Sequence, residues 1–300
     1  MTMLKGLAIT PPVVGRISIG RVVERNGKRL PEKDDQFTLT SQVQNRDGWV
    51  LHPLDEALRK ETGGKLRSIP VRLLFNDPAL NLRADYSLFD RTTGRPVCVG
   101  NGETCRRMGK EGITQESCPG PDGCVFAMGE CKAYARLNVR VGDDDELGSF
   151  VLRTTSYNTI RTLAARLAYF DAVSGGRLAC MPLELKLRGK STTMSFRSAI
   201  YYVDLVTRNR LPLAETIQEA RALDQARRDA GFDQEALDEA ARSGFANGAF
   251  EDLAEDVPAV VEEFYPEGGA DLAADGKGGR AAQSNLRERL QGKVALVSGQ

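Results

Sequence analysis

Five of the six cysteines in this 300-residue chain fall within one short stretch, from Cys98 to Cys131. The stretch is rich in glycine, contains two prolines, and shows neither helical nor strand periodicity. A segment of that composition cannot bury enough apolar surface to hold its own conformation. Disulfide bonds or a bound metal ion must therefore hold it together.

A metal ion is the stronger of these two explanations. The first residues show no apolar core or cleavage site of a signal peptide, and no run of about 18 apolar residues occurs, which predicts a cytoplasmic protein with no membrane partner. Thiols stay reduced in that compartment, and clustered thiolates there bind Zn²⁺. The predicted ligands are Cys105, Cys118, Cys124 and Cys131. Four thiolates leave zinc no open position, so the predicted cofactor is a structural zinc ion.

The identity of the ligands leaves alternatives open. Cys98 lies seven residues before Cys105 and either replaces it as a ligand or packs as a small apolar residue. Unligated thiols and a small iron–sulfur cluster are the other interpretations of the same cysteines. The only histidine, His52, lies far away in sequence, which favours a site made of sulfur alone.

The rest of the chain predicts an α+β fold. Alternating apolar and polar residues, clearest at 16–22, 135–141 and 183–187, predict about nine mostly antiparallel strands. Residues 157–173 carry apolar side chains at helical spacing behind a capping Ser156, which predicts one long packed helix. The cysteine loop is then an insertion between two strands, and a helical, acidic tail follows the core.

The charge distribution supports a division of the chain. Residues 1–210 carry a net charge of +9 and residues 211–300 a net charge of −9. We predict an α+β core at 1–211 with a zinc loop at 98–134, a helical appendage at 212–250, and an acidic, largely disordered tail at 251–300.

The basic residues of the core predict weak contact with DNA, strengthened by a protein partner. A surplus of nine positive charges, spread over 210 residues, is small for tight phosphate binding. A solvated surface is the alternative interpretation. The predicted contacts lie in a loop between two strands and in the zinc loop, and they are Arg188, Lys190, Arg197, Arg106, Arg107 and Lys110.

Motifs of enzymes are absent from the sequence. It contains no P-loop, no GxSxG and no HExxH, and its single histidine excludes a centre with several histidine ligands. The sequence therefore predicts a protein without catalytic activity. A metal-dependent hydrolase or nuclease is the alternative from a different functional class.

Four pieces of the sequence, in this order, resemble a known family. They are Gly15-Arg-Ile-Ser-Ile-Gly20, the Cys118–Cys131-Lys132 segment, Gly148-Ser-Phe-Val-Leu-Arg-Thr-Thr-Ser-Tyr-Asn158, and Leu183-Glu-Leu-Lys-Leu187. Because these four pieces occur in this order, the sequence is similar, over roughly residues 10–208, to the recombination directionality factors that accompany large serine integrases in phages and integrative elements.

The resemblance implies a function that requires no chemistry. It implies a protein that binds an integrase on its DNA and switches recombination from integration to excision. Related sequences often carry the description of hydrolase or metal-binding protein. A general accessory role in DNA recombination or replication is a further alternative.

Overall fold

The structure, a computed structural model, describes residues 12–25, 28–45, 48–91, 93–109, 111–144, 147–191, 199–245 and 264–265. Within these ranges one mixed sheet of twelve strands combines with several helices, which makes the protein an α+β protein.

The strands are β1 (Val13–Arg25), β2 (Lys28–Asn45), β3 (Gly48–Leu51), β4 (Ser68–Leu73), β5 (Leu82–Phe89), β6 (Pro96–Gly100), β7 (Thr104–Gly109), β8 (Gly112–Ser117), β9 (Lys132–Val141), β10 (Ser149–Thr154), β11 (Leu183–Lys190) and β12 (Ile200–Thr207). The α-helices are α1 (Pro53–Thr62), α2 (Pro78–Asn81), α3 (Gly120–Gly123), α4 (Tyr157–Ser174), α5 (Leu213–Asp229) and α6 (Gln234–Phe245).

The longest path of hydrogen-bonded strands in the sheet is β3-β2-β1-β10-β9-β5-β6-β7-β8. Among the described strands, the pairing of β1 with β10 is parallel and the other pairings are antiparallel. A parallel pair needs a long crossover, and here more than 120 residues separate the two strands.

The sheet divides at β9. One edge of β9 pairs with β10, and the other edge pairs first with β5 and then, at Val139–Val141, with β4. One branch therefore runs from β5 to β8 and carries the cysteines. The other branch runs from β4 through β11 to β12. Because residues 135 and 137–141 are mostly buried on both faces, β9 has the burial pattern of a strand at the centre of a domain.

Helix α4 covers the second branch. The Ser156 hydroxyl accepts a hydrogen bond from the Thr159 amide, and Gly175 ends the helix with a φ of 65°. Its apolar stripe is buried in the main core with residues of β4, β9, β10 and β11. The Thr159 hydroxyl also accepts a hydrogen bond from the Val203 amide of β12, so the helix and the strand are joined by a polar contact as well.

Helices α5 and α6 pack on the sheet. Ala220 of α5 is buried in the main core, and Glu219 forms an ion pair with Arg72 of β4. Ala241 of α6 is buried beside Leu74, Phe75 and Leu80. The predicted division into a core at 1–211 and an appendage at 212–250 stays a prediction. Removal of the appendage would remove these contacts with the sheet.

The structure differs from the sequence prediction in two places. Helix α5 lies within the predicted helical appendage, but it is almost as long as α4 and also packs on the main core, so there are two long packed helices where one was expected. The cysteine stretch contains the β7–β8 hairpin, although its sequence shows no periodicity. The reason is that all of β8 and most of β7 are exposed or half-buried, so no apolar alternation marks these strands. Except for residues 264–265, the predicted acidic tail at 251–300 lies outside the described residues.

Candidate functional site

The cysteine stretch forms a compact unit at the end of the first branch. We call residues 98–131 the knuckle. The sheet register pairs Cys98 with Arg107, and Gly100 with Cys105. Directly opposite residues share a face, as do residues two apart on one strand. The side chains of Cys98, Cys105 and Arg107 therefore project from the same face of β6 and β7.

The end of β8 brings a third cysteine to this face. The Cys118 amide donates a hydrogen bond to the Glu103 carbonyl at 2.9 Å, which ties the end of the hairpin to its beginning. A Cβ atom at Gly100 would lie 2.8 Å from the Cys118 Sγ and 2.6 Å from the Cys105 Cβ. Only glycine fits there, because the thiols approach the backbone of β6 too closely for a side chain.

The remaining two cysteines lie on the segment that returns to the sheet. Cys124 follows the short helix α3, and Cys131 immediately precedes β9. Between them the backbone turns at Met128 and Gly129, which have φ angles of 47° and 84°. The Glu130 amide donates to the Ala127 carbonyl at 2.8 Å and completes the turn.

All five cysteines of the knuckle line one small enclosed cavity of about 10 Å³. Room of this size suits a single small particle such as one water molecule or one ion. None of the six cysteines is in a disulfide. However, among the described residues no group of three or more His, Cys, Asp or Glu side chains is arranged as a formed metal site.

The acidities of these thiols reflect their burial. Burial raises the pKa of Cys98 to about 11, against the opposing effect of the Arg107 guanidinium. Burial also raises the pKa of Cys131 to about 11, and its four neighbouring cysteines add to the shift. Several thiolates could share this cavity only with a cation among them, because each negative charge disfavours the next.

The donor set fits a soft metal ion. Soft thiolate ligands select zinc or iron–sulfur clusters. The structure brings the predicted ligands Cys105, Cys118, Cys124 and Cys131 together, and it brings Cys98 to the same cavity. It therefore does not separate Cys98 from Cys105 as the fourth ligand, and the ligand set stays a prediction.

The outside of the knuckle exposes large apolar side chains. Val125 and Met128 are each 90 % exposed, beside the turn that leads into Cys131. Three more are about half exposed, namely Met108, Ile113 and Phe126. The sequence alone does not reveal this property, because an apolar residue in an aperiodic stretch can face either a core or solvent. Exposed apolar residues that occur together mark surfaces for protein partners.

The predicted basic contacts divide into two places. Arg188 and Lys190 lie at the end of β11, where Arg188 contacts Asp204 at 3.2 Å and Lys190 donates to the Asn158 side chain at 2.7 Å. Arg106 and Arg107 lie on β7, on the other branch of the sheet. The structure thus brings Arg188 and Lys190 to one face of β11, but it places Arg106 and Arg107 on opposite faces of β7, and the two pairs lie apart. Arg197 and Lys110 lie outside the described residues.

Arg107 has a structural role that the sequence analysis did not predict. Its guanidinium contacts Glu116 at 2.6 Å and lies 4.1 Å from the centre of the Phe126 ring. It also lies 4.0 Å from the Cys105 Sγ. Arg107 therefore connects the β7–β8 hairpin, the segment that contains Phe126 and the thiol cluster.

The fold and the site define the class: a mixed-sheet α+β protein with an inserted cluster of five cysteines. The sequence model of one family, described as Gp3-like and recombination directionality factor-like, matches residues 14–208. The chain therefore belongs to the Gp3-like family of recombination directionality factor-like proteins, which confirms the resemblance seen in the sequence. No curated protein and no solved structure matched the chain.

The match covers the sheet and the knuckle, while α5, α6 and residues 264–265 lie outside it. Among the described residues, no helix is both long and apolar enough to cross a membrane.

Proposed function

We propose that this protein is a zinc-stabilised, non-enzymatic accessory protein of a phage or mobile element. It binds a recombinase on its DNA and controls the direction of site-specific recombination. The observation that carries the proposal is the family match, which includes the knuckle with its thiol cluster and exposed apolar side chains.

Control of direction requires binding energy and no catalytic group. A ligand shifts an equilibrium only by its difference in affinity for the two states. Moving a recombinase from about 1:99 to 99:1 between two assemblies takes a preference of about 10⁴-fold, or about 5.5 kcal/mol. A protein–protein contact that exists in one assembly and is blocked in the other supplies free energy of this size.

The knuckle is the proposed contact with the recombinase. Val125 and Met128 are the most exposed of its apolar side chains. Methionine adapts its shape to a partner, and burial of exposed apolar surface drives association. Zinc held by Cys118, Cys124 and Cys131, with Cys105 or Cys98, would fix the turn that presents these residues. The ion would supply cross-linking of the chain and no reaction chemistry.

The contact with DNA is proposed to be weak and to depend on the partner. Arg188 and Lys190 each already contact a side chain of the protein, and the Asp204 carboxylate offsets part of the positive charge that Arg188 presents to phosphate. Replacing both by glutamate should lower the slope of binding against salt concentration by about two, because two fewer phosphates are contacted. Gel-shift titrations of the complex at several salt concentrations measure this slope. Nanomolar binding by the protein alone would contradict the proposal.

The direct test is a recombination assay with the serine integrase of the same genetic element. Purified full chain should promote excision and inhibit integration, and should produce no strand exchange without the integrase. A chain that changes neither reaction, or that cuts DNA by itself, would overturn the proposal.

Two variants separate the knuckle from the rest of the surface. Met128→Asp should abolish the switch and weaken capture of the integrase at least tenfold, because it places a charge in the apolar contact. Val43→Asp is the matched control, since Val43 is an exposed apolar residue on β2, far from the knuckle in the strand order. Equal effects of both substitutions would place the recombinase contact elsewhere.

A further inference from the structure

Residues 264 and 265 occupy an aromatic slot beside the knuckle. The rings of Phe89 at the end of β5 and Tyr134 on β9 meet edge to face, with centroids 5.2 Å apart. Phe264 packs against both, at 4.8 Å and 6.0 Å, and its side chain is completely buried. We call Phe89, Arg91, Lys132 and Tyr134 the slot. Its occupant comes from more than 120 residues away in sequence.

Polar contacts fix the occupant in one orientation. The Lys132 ammonium donates to the Phe264 carbonyl at 3.1 Å, and the Tyr265 hydroxyl donates to the Phe89 carbonyl at 2.8 Å. The first contact recognises a peptide backbone, and the second requires a tyrosine after the buried phenylalanine. The slot therefore distinguishes the ordered pair Phe-Tyr from apolar residues in general.

The rim of the slot is cationic. Arg91 lies 4.5 Å from the centre of the Tyr265 ring, and Lys132 lies 5.1 Å from that of Phe264. Arg91 is also held by Glu130 at 2.8 Å, next to the thiol cluster. Additional negative charge close to these two cations is therefore favourable.

The sequence around the pair supplies negative charge. It reads Glu262-Glu263-Phe264-Tyr265-Pro266-Glu267. The slot and its occupant thus match in two independent properties, since aromatic rings meet aromatic rings, and the sequence on both sides of the occupant is acidic whereas the rim is cationic. The slot lies within the residues matched by the family, and the occupant lies beyond them.

We infer that the slot is a binding site for a short acidic segment that carries a Phe-Tyr pair, and that the chain's own residues 264–265 are its occupant. An anchor of two residues is small enough to exchange. Its attachment to the same chain raises its local concentration to about the millimolar range, so it excludes free peptide until a competitor of the same chemistry is abundant or tethered. This inference requires neither zinc nor a recombinase.

The test uses the full chain and a fluorescent peptide of residues 258–270, with binding followed by fluorescence polarisation. The variant Phe264→Ala/Tyr265→Ala empties the slot and should bind the peptide. The wild-type chain should bind the same peptide at least tenfold more weakly, because its own segment competes. A peptide with both aromatic residues replaced by alanine should not bind the variant.

A charge comparison locates the binding. In the emptied variant, Arg91→Glu should weaken peptide binding at least fivefold, while Arg95→Glu should leave it unchanged. Arg95 is an exposed arginine four residues away whose side chain is not part of the slot. Thermal melts of all variants check that they fold. Tyr265→Phe, made in the otherwise wild-type chain, loses only the hydroxyl contact to Phe89 and should therefore raise binding of the free peptide by a small factor.

Three outcomes overturn the inference. The first is a folded emptied variant that does not bind the peptide. The second is equal binding of the alanine peptide or equal effects of the two arginine substitutions. The third is a wild-type dimer that the emptied variant converts to a monomer, as measured by light scattering, because the occupant would then come from a second copy rather than from the same chain.

Discussion

The main core and the knuckle are stabilised in different ways. The main core buries leucine, valine, isoleucine and phenylalanine from the sheet, α1 and α4, together with Ala220 of α5. In the knuckle the buried cluster consists of Cys98, Cys105 and Cys118, with Leu88 packed against it. Apolar burial stabilises the first region at any pH and without a ligand. The second region lacks comparable apolar area, so its stability should depend on what its thiols bind.

The two regions also differ in where their apolar side chains lie. Side chains of the main core face inward from both branches of the sheet. The knuckle presents Val125 and Met128 to solvent and has its thiols inside. A small thiol cluster occupies little volume and leaves neighbouring apolar residues free to face outward. A region without an apolar core is therefore well suited to carry an apolar contact surface.

The largest expected effect follows from loss of a thiol in the knuckle. The wild-type protein should contain about one zinc per chain, and Cys124→Ser should lose it. The knuckle should then unfold while the main core stays folded, because structural zinc contributes on the order of 10 kcal/mol in isolated modules. Elemental analysis and hydrogen exchange measure the two effects.

Cys180→Ser is the matched control for that substitution. Cys180 is buried in the main core, and its sulfur is not part of the knuckle. The control should keep its metal and its protected knuckle, although the main core becomes less stable. A wild-type protein with no transition metal and six freely titrating thiols would contradict the whole comparison.

A substitution that creates a cavity in the main core should have the opposite effects on stability and metal content. Leu163 of α4 is fully buried, so Leu163→Ala should lower the free energy of global unfolding by about 2–5 kcal/mol. The metal content of the folded protein should not change, because α4 does not contact the knuckle cavity. Denaturant unfolding with metal analysis tests both statements. A loss of metal would show that the two regions are stabilised together.

A smaller effect is expected from adding one methyl group inside the knuckle. Gly100→Ala would place its Cβ 2.6 Å from the Cys105 Cβ, so the hairpin must shift, at a cost of about 1–3 kcal/mol. Gly109→Ala, at the end of β7 in the knuckle, meets its nearest atom at 3.4 Å and should be nearly neutral. Hydrogen exchange of the knuckle amides measures the difference. Equal effects would mean that the thiols do not crowd β6.

The smallest expected effect is on how the stability of the knuckle depends on pH. Alkali should destabilise the metal-free knuckle, whereas acid should destabilise the metal-bound one. In the chelated protein the pKa of Cys98 and Cys131 is raised to about 11, above the ordinary value of 9.0. Their contribution to stability is complete below pH 9 and is lost between about pH 9 and 11, on the order of 1 kcal/mol per thiol.

In the metal-bound protein the ligands are thiolates, so acid rather than alkali should open the knuckle. Hydrogen exchange at pH 5 to 10, with and without chelator, distinguishes the two cases. The same pH dependence in both samples would show that no metal ion binds these thiols.

The sequence by itself determined the elements whose signals are local. Helix α4 follows from Ser156 and from apolar residues at helical spacing, and the structure confirms it to within one residue at its end. Strands such as β9 and β11 are visible because one or both faces are buried. The cluster of cysteines without apolar support was equally visible, and it indicated a site before any fold was known.

Only the tertiary structure decided which distant segments meet. The parallel pairing of β1 with β10, the division of the sheet at β9 and the docking of α5 depend on partners far away in sequence. The β7–β8 hairpin was not visible because exposed strands lack alternation. The placement of Phe264 in its slot had no local signal either, since an aromatic residue in an acidic stretch is buried only if a complementary surface reaches it. Local propensity acts within a few residues, whereas burial is a property of the assembled surface.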